Sequence, residues 1–145
     1  ISSAMCVRYL LNNAYVCEGD ILLHNPKIIQ KYQYKSNYCG IKCDRTDDWC
    51  LFENKGRITG YAVGGENCHQ MMGISYWTEE DGRKLGDCIK KVYEMPGGKE
   101  RYWDQVALGY YVEDFDISIR ECSFDDFIEI DTFNELKAID KIYDV

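Results

Sequence analysis

The spacing of apolar positions divides the chain into short strands and helices that follow one another in mixed order. Apolar runs at 14–17 and 21–23 predict one interrupted buried strand, with Glu18-Gly19-Asp20 at the carboxyl end of its first part. Asn54-Lys55-Gly56 lies between two strand-like stretches and predicts a tight antiparallel hairpin. The other predicted strands cover residues 38–43, 49–53, 57–63, 70–77, 117–121 and 127–130.

Two helix starts carry clear capping signals. Thr78 precedes three acidic residues and predicts a helix that runs to about Tyr93. Thr132 and Glu135 form a capping box for a final helix, whose apolar stripe consists of Phe133, Leu136, Ile139 and Ile142. Shorter helices are predicted at 4–11, 27–34 and 102–110. The pattern predicts a mixed α/β fold with flanking helices, and no internal repeat or linker indicates a second domain.

Composition and charge restrict the class of function. The chain has 145 residues, 46% of them apolar and 14% aromatic, which is enough for one domain with a sizeable core. Its 17 Lys and Arg against 25 Asp and Glu give a net charge of −8, which repels a nucleic-acid backbone. No apolar run approaches the roughly 18 residues of a membrane span, and the first residues lack a signal-peptide pattern. We therefore predict a cytoplasmic enzyme of small molecules, without nucleic acid or membrane as partner.

The eight cysteines are interpreted mainly as buried free thiols. Most of them lie inside apolar strand-like or helix-like stretches, where a thiol behaves as a small hydrophobic group. The alternative is a zinc-stabilised interaction domain, although the cysteine spacings match no paired C-x-x-C knuckle. Its ligands would be Cys39, Cys43, Cys50 and Cys68, with His69 next to the last.

Acidic residues from distant parts of the chain are candidates for a divalent metal site. Asp20 follows a predicted strand, and ligands in open α/β sheets collect at the carboxyl ends of strands. Glu129 and Asp131 point to the same side of an extended strand, so their carboxylates share one surface. A Mg²⁺ ion shared with Asp20 would remove their repulsion. The alternative is that Asp20 forms a turn, and that Glu129 and Asp131 are solvated residues before the capping threonine.

Aromatic residues beside polar or acidic neighbours are candidates for a cation-binding cage. The set consists of Trp49, Tyr76, Trp77, Tyr102 and Trp103. Any one of these rings can instead be an ordinary core residue. Tyr102-Trp103-Asp104 combines two ring faces with a carboxylate, which is the combination that attracts an ammonium group. A metal site beside such a cage predicts a ligand with both phosphate and an organic cation, such as phosphocholine.

Four segments together resemble the bacterial CTP:phosphocholine cytidylyltransferases. They are residues 15–23, 72–77, 102–104 and 129–131, and the resemblance runs in order over essentially the whole chain. These enzymes belong to the sugar-1-phosphate nucleotidyltransferase superfamily, which has a Rossmann-like, GT-A-like sheet. The resemblance implies a mixed sheet with an antiparallel hairpin and flanking helices.

The resemblance also implies residue roles and a reaction. Asp20, Glu129 and Asp131 would bind Mg²⁺, the aromatic set would hold trimethylammonium, and Asp104 would supply negative charge to the cation or the metal, with Asp20 and Asp104 as the catalytic residues. The reaction would transfer CMP from CTP to phosphocholine, giving CDP-choline and pyrophosphate. Alternatives are a transferase for aminoethylphosphonate or a sugar phosphate, and a non-catalytic choline-binding module. A homodimer and a fused or associated choline kinase are further expected partners.

The chain departs from the superfamily at one point. Members begin with a glycine-rich Leu-x-Ala-Ala-Gly-x-Gly-x-Arg loop that holds the nucleotide triphosphate, and this chain has no such loop. Pro26-Lys27 follows the Gly-Asp motif and cannot replace it. We therefore expect residues 1–145 to be the C-terminal portion of a single nucleotidyltransferase domain, inactive on its own.

Overall fold

A bent four-stranded sheet organises the chain, of which this computed structural model describes residues 1–143. Its strands are β1 (Ala14–Cys17), β3 (Asn37–Asn54), β4 (Arg57–Trp77) and β5 (Ser118–Glu121). They lie in the order β1, β4, β3, β5. β4 pairs antiparallel with both of its neighbours, and β5 pairs parallel with β3, so the sheet is mixed as predicted.

The hairpin between β3 and β4 is confirmed, but its strands are much longer than predicted. Lys55 and Gly56 both have positive φ, at 53° and 79°, as a primed two-residue turn requires. The four strands predicted between 38 and 77 are the halves of these two bent strands, whose register shifts between Thr46 and Trp49. Cys50 pairs with Ala62 and also with Gln70, so the hairpin folds back onto β4.

A separate two-stranded sheet joins β2 (Ile21–Leu23) to β6 (Phe127–Glu129) in antiparallel pairing. The prediction that 21–23 continues the strand at 14–17 is therefore wrong. β1 pairs with β4, whereas β2 follows the break at Gly19 and pairs with β6. This change of partner brings two distant acidic segments to one place.

The main core lies between the large sheet and helix α2 (Glu79–Glu94). The Thr78 side chain caps α2 by accepting from the Asp81 N–H, as predicted. Leu85, Ile89 and Val92 follow one another at helical spacing and are fully buried against Tyr38 and Trp77, together with other apolar residues. A smaller cluster covers the opposite face and contains Ile28, Cys39, Ile41, Met72, Ile74 and Phe127.

Two predicted helices differ from the structure. Helix α1 covers Ser2–Val7 and continues as a 3₁₀ turn at Arg8–Leu10, close to the prediction. The helix predicted at 27–34 is wrong, because only a 3₁₀ turn at Pro26–Ile28 forms. Tyr32 and Tyr34 are 69% and 96% exposed, so this segment has no apolar face to hold a helix against the sheet. The helix predicted at 102–110 is limited to a π-helical turn at Val106–Tyr110.

The last helix, α3 (Phe133–Ile139), begins with the predicted capping box between Thr132 and Glu135. Its predicted apolar stripe stays largely open to solvent, with Phe133 at 58% and Ile142 at 74% exposure. None of the helices within residues 1–143 is both long enough and apolar enough to cross a membrane.

Candidate active site

An acidic cavity opens beside the middle of β4. Gln70 of β4 pairs with Ile41 on one edge and with Cys50 of the hairpin tip on the other. Beyond the end of β1, the Glu18 N–H donates to the Gly73 carbonyl at 2.9 Å. The cavity lies between these two contacts and has a volume of about 430 Å³. Its lining consists of Glu18, Asp20, Asp48, Trp49, Met71, Tyr102, Asp104, Glu129 and Asp131.

Three carboxylates converge in this cavity because of the β2–β6 pairing. Ile21 lies opposite Glu129, and the Ile130 N–H donates to the Asp20 carbonyl at 2.9 Å. Carboxylate oxygens of Glu18, Asp20 and Glu129 all lie within 4.8 Å of one another. The structure thus brings Asp20 and Glu129 together as predicted. Asp131 lines the same cavity but lies outside this trio, and Glu18 occupies the third place instead.

Burial and mutual repulsion raise the pKa of two carboxylates in the trio. Burial first, and then the nearby carboxylates of Asp104, Asp20, Glu129 and Asp131, together raise the pKa of Glu18 to about 7. The pKa of Glu129 is also raised, first by burial and then by Asp131 and Asp20. No Lys, Arg or His side chain among the described residues lines this cavity. Clustered carboxylate oxygens without a basic partner fit Mg²⁺, which prefers hard oxygen ligands.

Asp104 forms a buried part of the cavity wall. It is only 4% exposed, and burial raises its pKa. Its Oδ1 accepts from the Gln105 N–H at 2.9 Å, while the Tyr38 hydroxyl approaches Oδ2 at 3.5 Å. The Asp104 carbonyl also accepts from the Leu108 N–H at the π-helical turn. Backbone and side chain therefore hold this carboxylate in a fixed position beside the trio.

Two of the predicted cage residues, Trp49 and Tyr102, line the cavity. Trp49 stacks on Tyr61 with ring centroids 5.5 Å apart, and it meets Tyr102 edge to face at 5.4 Å. The Tyr61 hydroxyl accepts from Gln105 Nε2 at 2.9 Å, which orients the supporting ring. Tyr102 is 63% exposed. These rings provide an aromatic surface next to the carboxylates.

The structure does not bring Tyr76 and Trp77 to the cavity, which corrects their prediction as ligand-binding residues. Trp77 is fully buried, and its indole N–H donates to Ser75 Oγ at 2.9 Å. Tyr76 is 6% exposed, and its hydroxyl donates to Asn13 Oδ1 at 2.5 Å. Because protein covers both rings, neither offers a face to a ligand.

Trp103 belongs to a second, more apolar cavity of about 500 Å³. Its ring meets Trp77 edge to face at 6.2 Å, so it is half-buried against the core. Glu18 and Asp20 line this cavity as well as the acidic one. The two cavities therefore share these two residues, but Trp103 lines one cavity and Trp49 the other. The remaining lining residues are Ser3, Ala4, Val7, Leu11, Val16, Cys17 and Gly19.

The cysteines are free thiols, as predicted, and they do not form the alternative zinc site. Cys43 and Cys68 lie opposite each other on β3 and β4, with sulfur atoms 3.8 Å apart. Within residues 1–143, the acidic trio is the only group of three or more side chains whose ligand atoms could share one metal ion. Cys39, Cys50, Cys68 and Cys88 are buried, whereas Cys6 and Cys17 are exposed.

Comparisons with known proteins point to one class of enzyme. No protein-family model matches the chain. The 2-aminoethylphosphonate cytidylyltransferase of Lancefieldella rimae is 29% identical over 131 residues, which cover 89% of this chain and 53% of that protein. The choline-phosphate cytidylyltransferase of Haemophilus influenzae is 23% identical over 131 residues, covering 88% of this chain and 56% of the relative. The chain thus spans about half the length of these curated relatives.

A solved structure decides the fold. The CTP:phosphocholine cytidylyltransferase of Streptococcus pneumoniae superposes with a TM-score of 0.78 at 21% sequence identity, over 97% of this chain and 62% of that one. The chain has a nucleotidyltransferase fold. This confirms the predicted fold class, including the mixed sheet and the flanking helices. The predicted similarity to cytidylyltransferases is confirmed, because both curated relatives are cytidylyltransferases. One is named for a phosphonate and the other for choline phosphate.

Three residues at this site of the nucleotidyltransferase fold have no role in the sequence-based prediction. Glu18 and Asp48 enter it only as acidic neighbours of Asp20 and Trp49, and Met71 does not enter it at all. For Glu18 a signal exists, because it is a second carboxylate that only Gly19 separates from Asp20 in the sequence. For Asp48 and Met71, only the folding back of the hairpin onto β4 shows that they share a cavity.

Proposed function

We propose that the chain is the acceptor-binding and metal-binding part of a cytidylyltransferase, which transfers CMP from CTP to phosphocholine and releases pyrophosphate. One observation carries the proposal. A nucleotidyltransferase fold holds the Glu18, Asp20 and Glu129 carboxylates within 4.8 Å of one another, in a cavity that Trp49 and Tyr102 also line. An anion-binding metal and a cation-binding surface are the two elements that this acceptor requires.

The acidic trio would hold Mg²⁺, with Asp131 at the margin of the same cavity. When bound, Mg²⁺ supplies positive charge close to the reacting phosphates. The residues of the chain position the acceptor, because Trp49 presents a ring face and Asp104 a fixed carboxylate to its cationic end. An oxygen of the acceptor phosphate attacks the α-phosphorus of CTP, a new P–O bond forms, and pyrophosphate leaves with the electrons of the broken bond. Positioning and charge stabilisation account for catalysis, without a protein nucleophile.

A second acceptor, 2-aminoethylphosphonate, is favoured by a different observation. Six of the nine residues lining the acidic cavity carry carboxylates, and only two are aromatic. A primary ammonium group can donate three hydrogen bonds to such a wall, whereas a trimethylammonium group can donate none. The relative with the higher identity also bears the name of a phosphonate enzyme. Phosphocholine stays our first proposal because the ring contacts of Trp49 with Tyr61 and Tyr102, beside the carboxylates, support a role for this indole in binding an organic cation.

The test measures CMP transfer in the full-length protein that contains this chain. Release of pyrophosphate from CTP is followed with phosphocholine and, separately, with 2-aminoethylphosphonate or a sugar phosphate. Asp20→Asn should lower kcat about a hundredfold or more, since the lost charge stabilisation is worth several kcal/mol. Asp125→Asn changes an exposed acid that does not line the cavity, and it should leave kcat unchanged.

Three outcomes would count against the proposal. Near-normal turnover of Asp20→Asn would exclude the metal role. Faster turnover with 2-aminoethylphosphonate would replace the acceptor while keeping the reaction class. Tight, metal-independent binding of choline compounds without any transfer would indicate a non-catalytic binding module instead. The cytoplasmic location, the homodimer and the kinase partner stay predictions.

A further inference from the structure

Gly73 lies directly beneath the Glu18 side chain. The two residues face each other just beyond the β1–β4 pairing, where the Glu18 N–H donates to the Gly73 carbonyl at 2.9 Å. A methyl group at position 73 would lie 2.7 Å from Glu18 Cγ, and closer still to its carboxyl carbon and Oε2. The Glu18 side chain therefore occupies the space that any residue other than glycine would need.

Backbone conformation does not explain this glycine. Gly56, Gly64 and Gly97 have positive φ, whereas Gly73 does not. Its position inside β4 would suit most residues, and a glycine there weakens a strand. The three atoms nearest to a methyl group placed at position 73 all belong to Glu18, so the space that the glycine leaves is filled by that side chain.

The position of Glu18 decides whether the acidic trio exists. Its carboxylate lies within 4.8 Å of ligand oxygens of Asp20 and Glu129, and it faces both cavities together with Asp20. Without Glu18, the remaining pair consists of Asp20, which directly precedes β2, and Glu129 of β6. Ligand number governs how tightly a carboxylate site holds a hard divalent cation.

We propose that Gly73 is a positioning residue for the metal site, because the missing side chain leaves the space in which the Glu18 carboxylate becomes the third metal ligand. The inference rests on the proposed function for the metal site, but not for the CMP transfer or the identity of the acceptor. It predicts that Gly73 and Glu18 act as one unit in metal binding, although Gly73 provides no ligand atom itself.

The test titrates the full-length protein with Mn²⁺, detected by its electron paramagnetic resonance signal, in a double-mutant cycle. Gly73→Ala and Glu18→Gln should each weaken Mn²⁺ binding by about tenfold, the lower end of the effect of residues that orient metal ligands. The double variant should bind no more weakly than Glu18→Gln alone, because both changes remove the same interaction. Gly60→Ala is the matched control, since position 60 is also in β4 and a methyl group there meets no atom within 4 Å.

Several results would overturn the inference. One is unchanged Mn²⁺ affinity of Gly73→Ala, and another is a double variant whose loss equals the product of both single losses. If Gly73→Ala does not fold, Gly73→Ala with Glu18→Ala removes all three nearest atoms and should restore folding; its failure to fold would contradict the packing argument.

A coupled loss of Mn²⁺ binding without any CMP transfer would refute the proposed function and leave this inference intact. CMP transfer by the wild type, together with unchanged Mn²⁺ binding by Gly73→Ala, would refute this inference and leave the proposed function intact.

Discussion

Strand β4 serves two very different regions of the molecule. At its carboxyl end Trp77 is fully buried beneath α2, where apolar side chains surround it. A few residues earlier, Met71 lines a cavity whose walls are mostly carboxylates, and Gly73 lies against Glu18 of that cavity. The same strand thus supports a region in which burial of apolar surface stabilises the fold, and one in which burial and then neighbouring carboxylates raise the pKa of Glu18 and Glu129.

The contrast shows why a polar neighbour in the sequence does not identify a ligand-binding aromatic ring. Trp77 satisfies its indole N–H with Ser75, two residues away on the same strand, and can therefore be buried completely. Trp49 follows the register shift between β3 and β4, where regular pairing is interrupted and the ring reaches the cavity. The two tryptophans therefore differ in how regular the strand pairing around them is, and not in the type of residue beside them.

The largest expected effect is on the core side of this comparison. Trp77→Ala should lower the free energy of unfolding by about 3–5 kcal/mol, because it leaves a large cavity beneath α2. Urea denaturation followed by circular dichroism measures the change. A loss below about 1 kcal/mol would mean that the ring is not a closely packed core residue, and would reopen its role as a ligand-binding group.

A smaller effect, on ligand binding and not on the free energy of unfolding, is expected for the tryptophan in the cavity. Trp49→Ala should weaken phosphocholine binding by about 0.5–2 kcal/mol, the range of a cation over an indole ring. Calorimetric titration of the full-length protein with phosphocholine, and separately with CTP, provides the measurement. Tyr34→Ala removes a ring that is 96% exposed and serves as control. Equal losses for both substrates would contradict the cation-binding role.

The smallest effect concerns pH and the acidic cavity without metal. The pKa of Glu18 is raised from 4.5 to about 7, so the folded chain binds this proton more readily than the unfolded chain. Its contribution to stability is fully present below about pH 4.5 and is lost as pH rises through about 7. Glu18→Gln should therefore show a flatter decline of unfolding free energy between these pH values, measured in a chelating buffer.

The control for this experiment is Glu80→Gln, which changes an exposed residue in the first turn of α2. It should follow the wild-type pH dependence. Parallel curves for the wild type and Glu18→Gln would show that Glu18 titrates normally and is not confined among other carboxylates.

Local signals in the sequence predicted the elements well. The Thr78 cap, the capping box at Thr132 and the turn at Lys55-Gly56 are each specified by a few adjacent residues, and all three are present. The convergence of Asp20 and Glu129 was also predictable, because the family resemblance supplied a long-range relation that spacing alone does not.

Pairing between distant segments could not be predicted from local patterns. Nothing within residues 21–23 shows that this strand pairs with β6 and not with the sheet of β1. The folding back of the hairpin onto β4 likewise depends on a register shift in the β3–β4 pairing. The local sequence pattern does not fix this shift, because it is compatible with several strand lengths. These two long-range choices decide that Glu18 completes the trio, and that Asp48 joins the cavity.

The short ladder of β2 and β6 restricts how the gene can change over evolution. Asp20 precedes the first rung, and Glu129 lies on that rung opposite Ile21. An insertion or deletion of a single codon inside β6 would exchange the directions of Ile128 and Glu129, placing an alkyl group where a carboxylate stands. Length variation among descendants of this chain should therefore accumulate in the turn before Phe127 and spare the three residues of the strand.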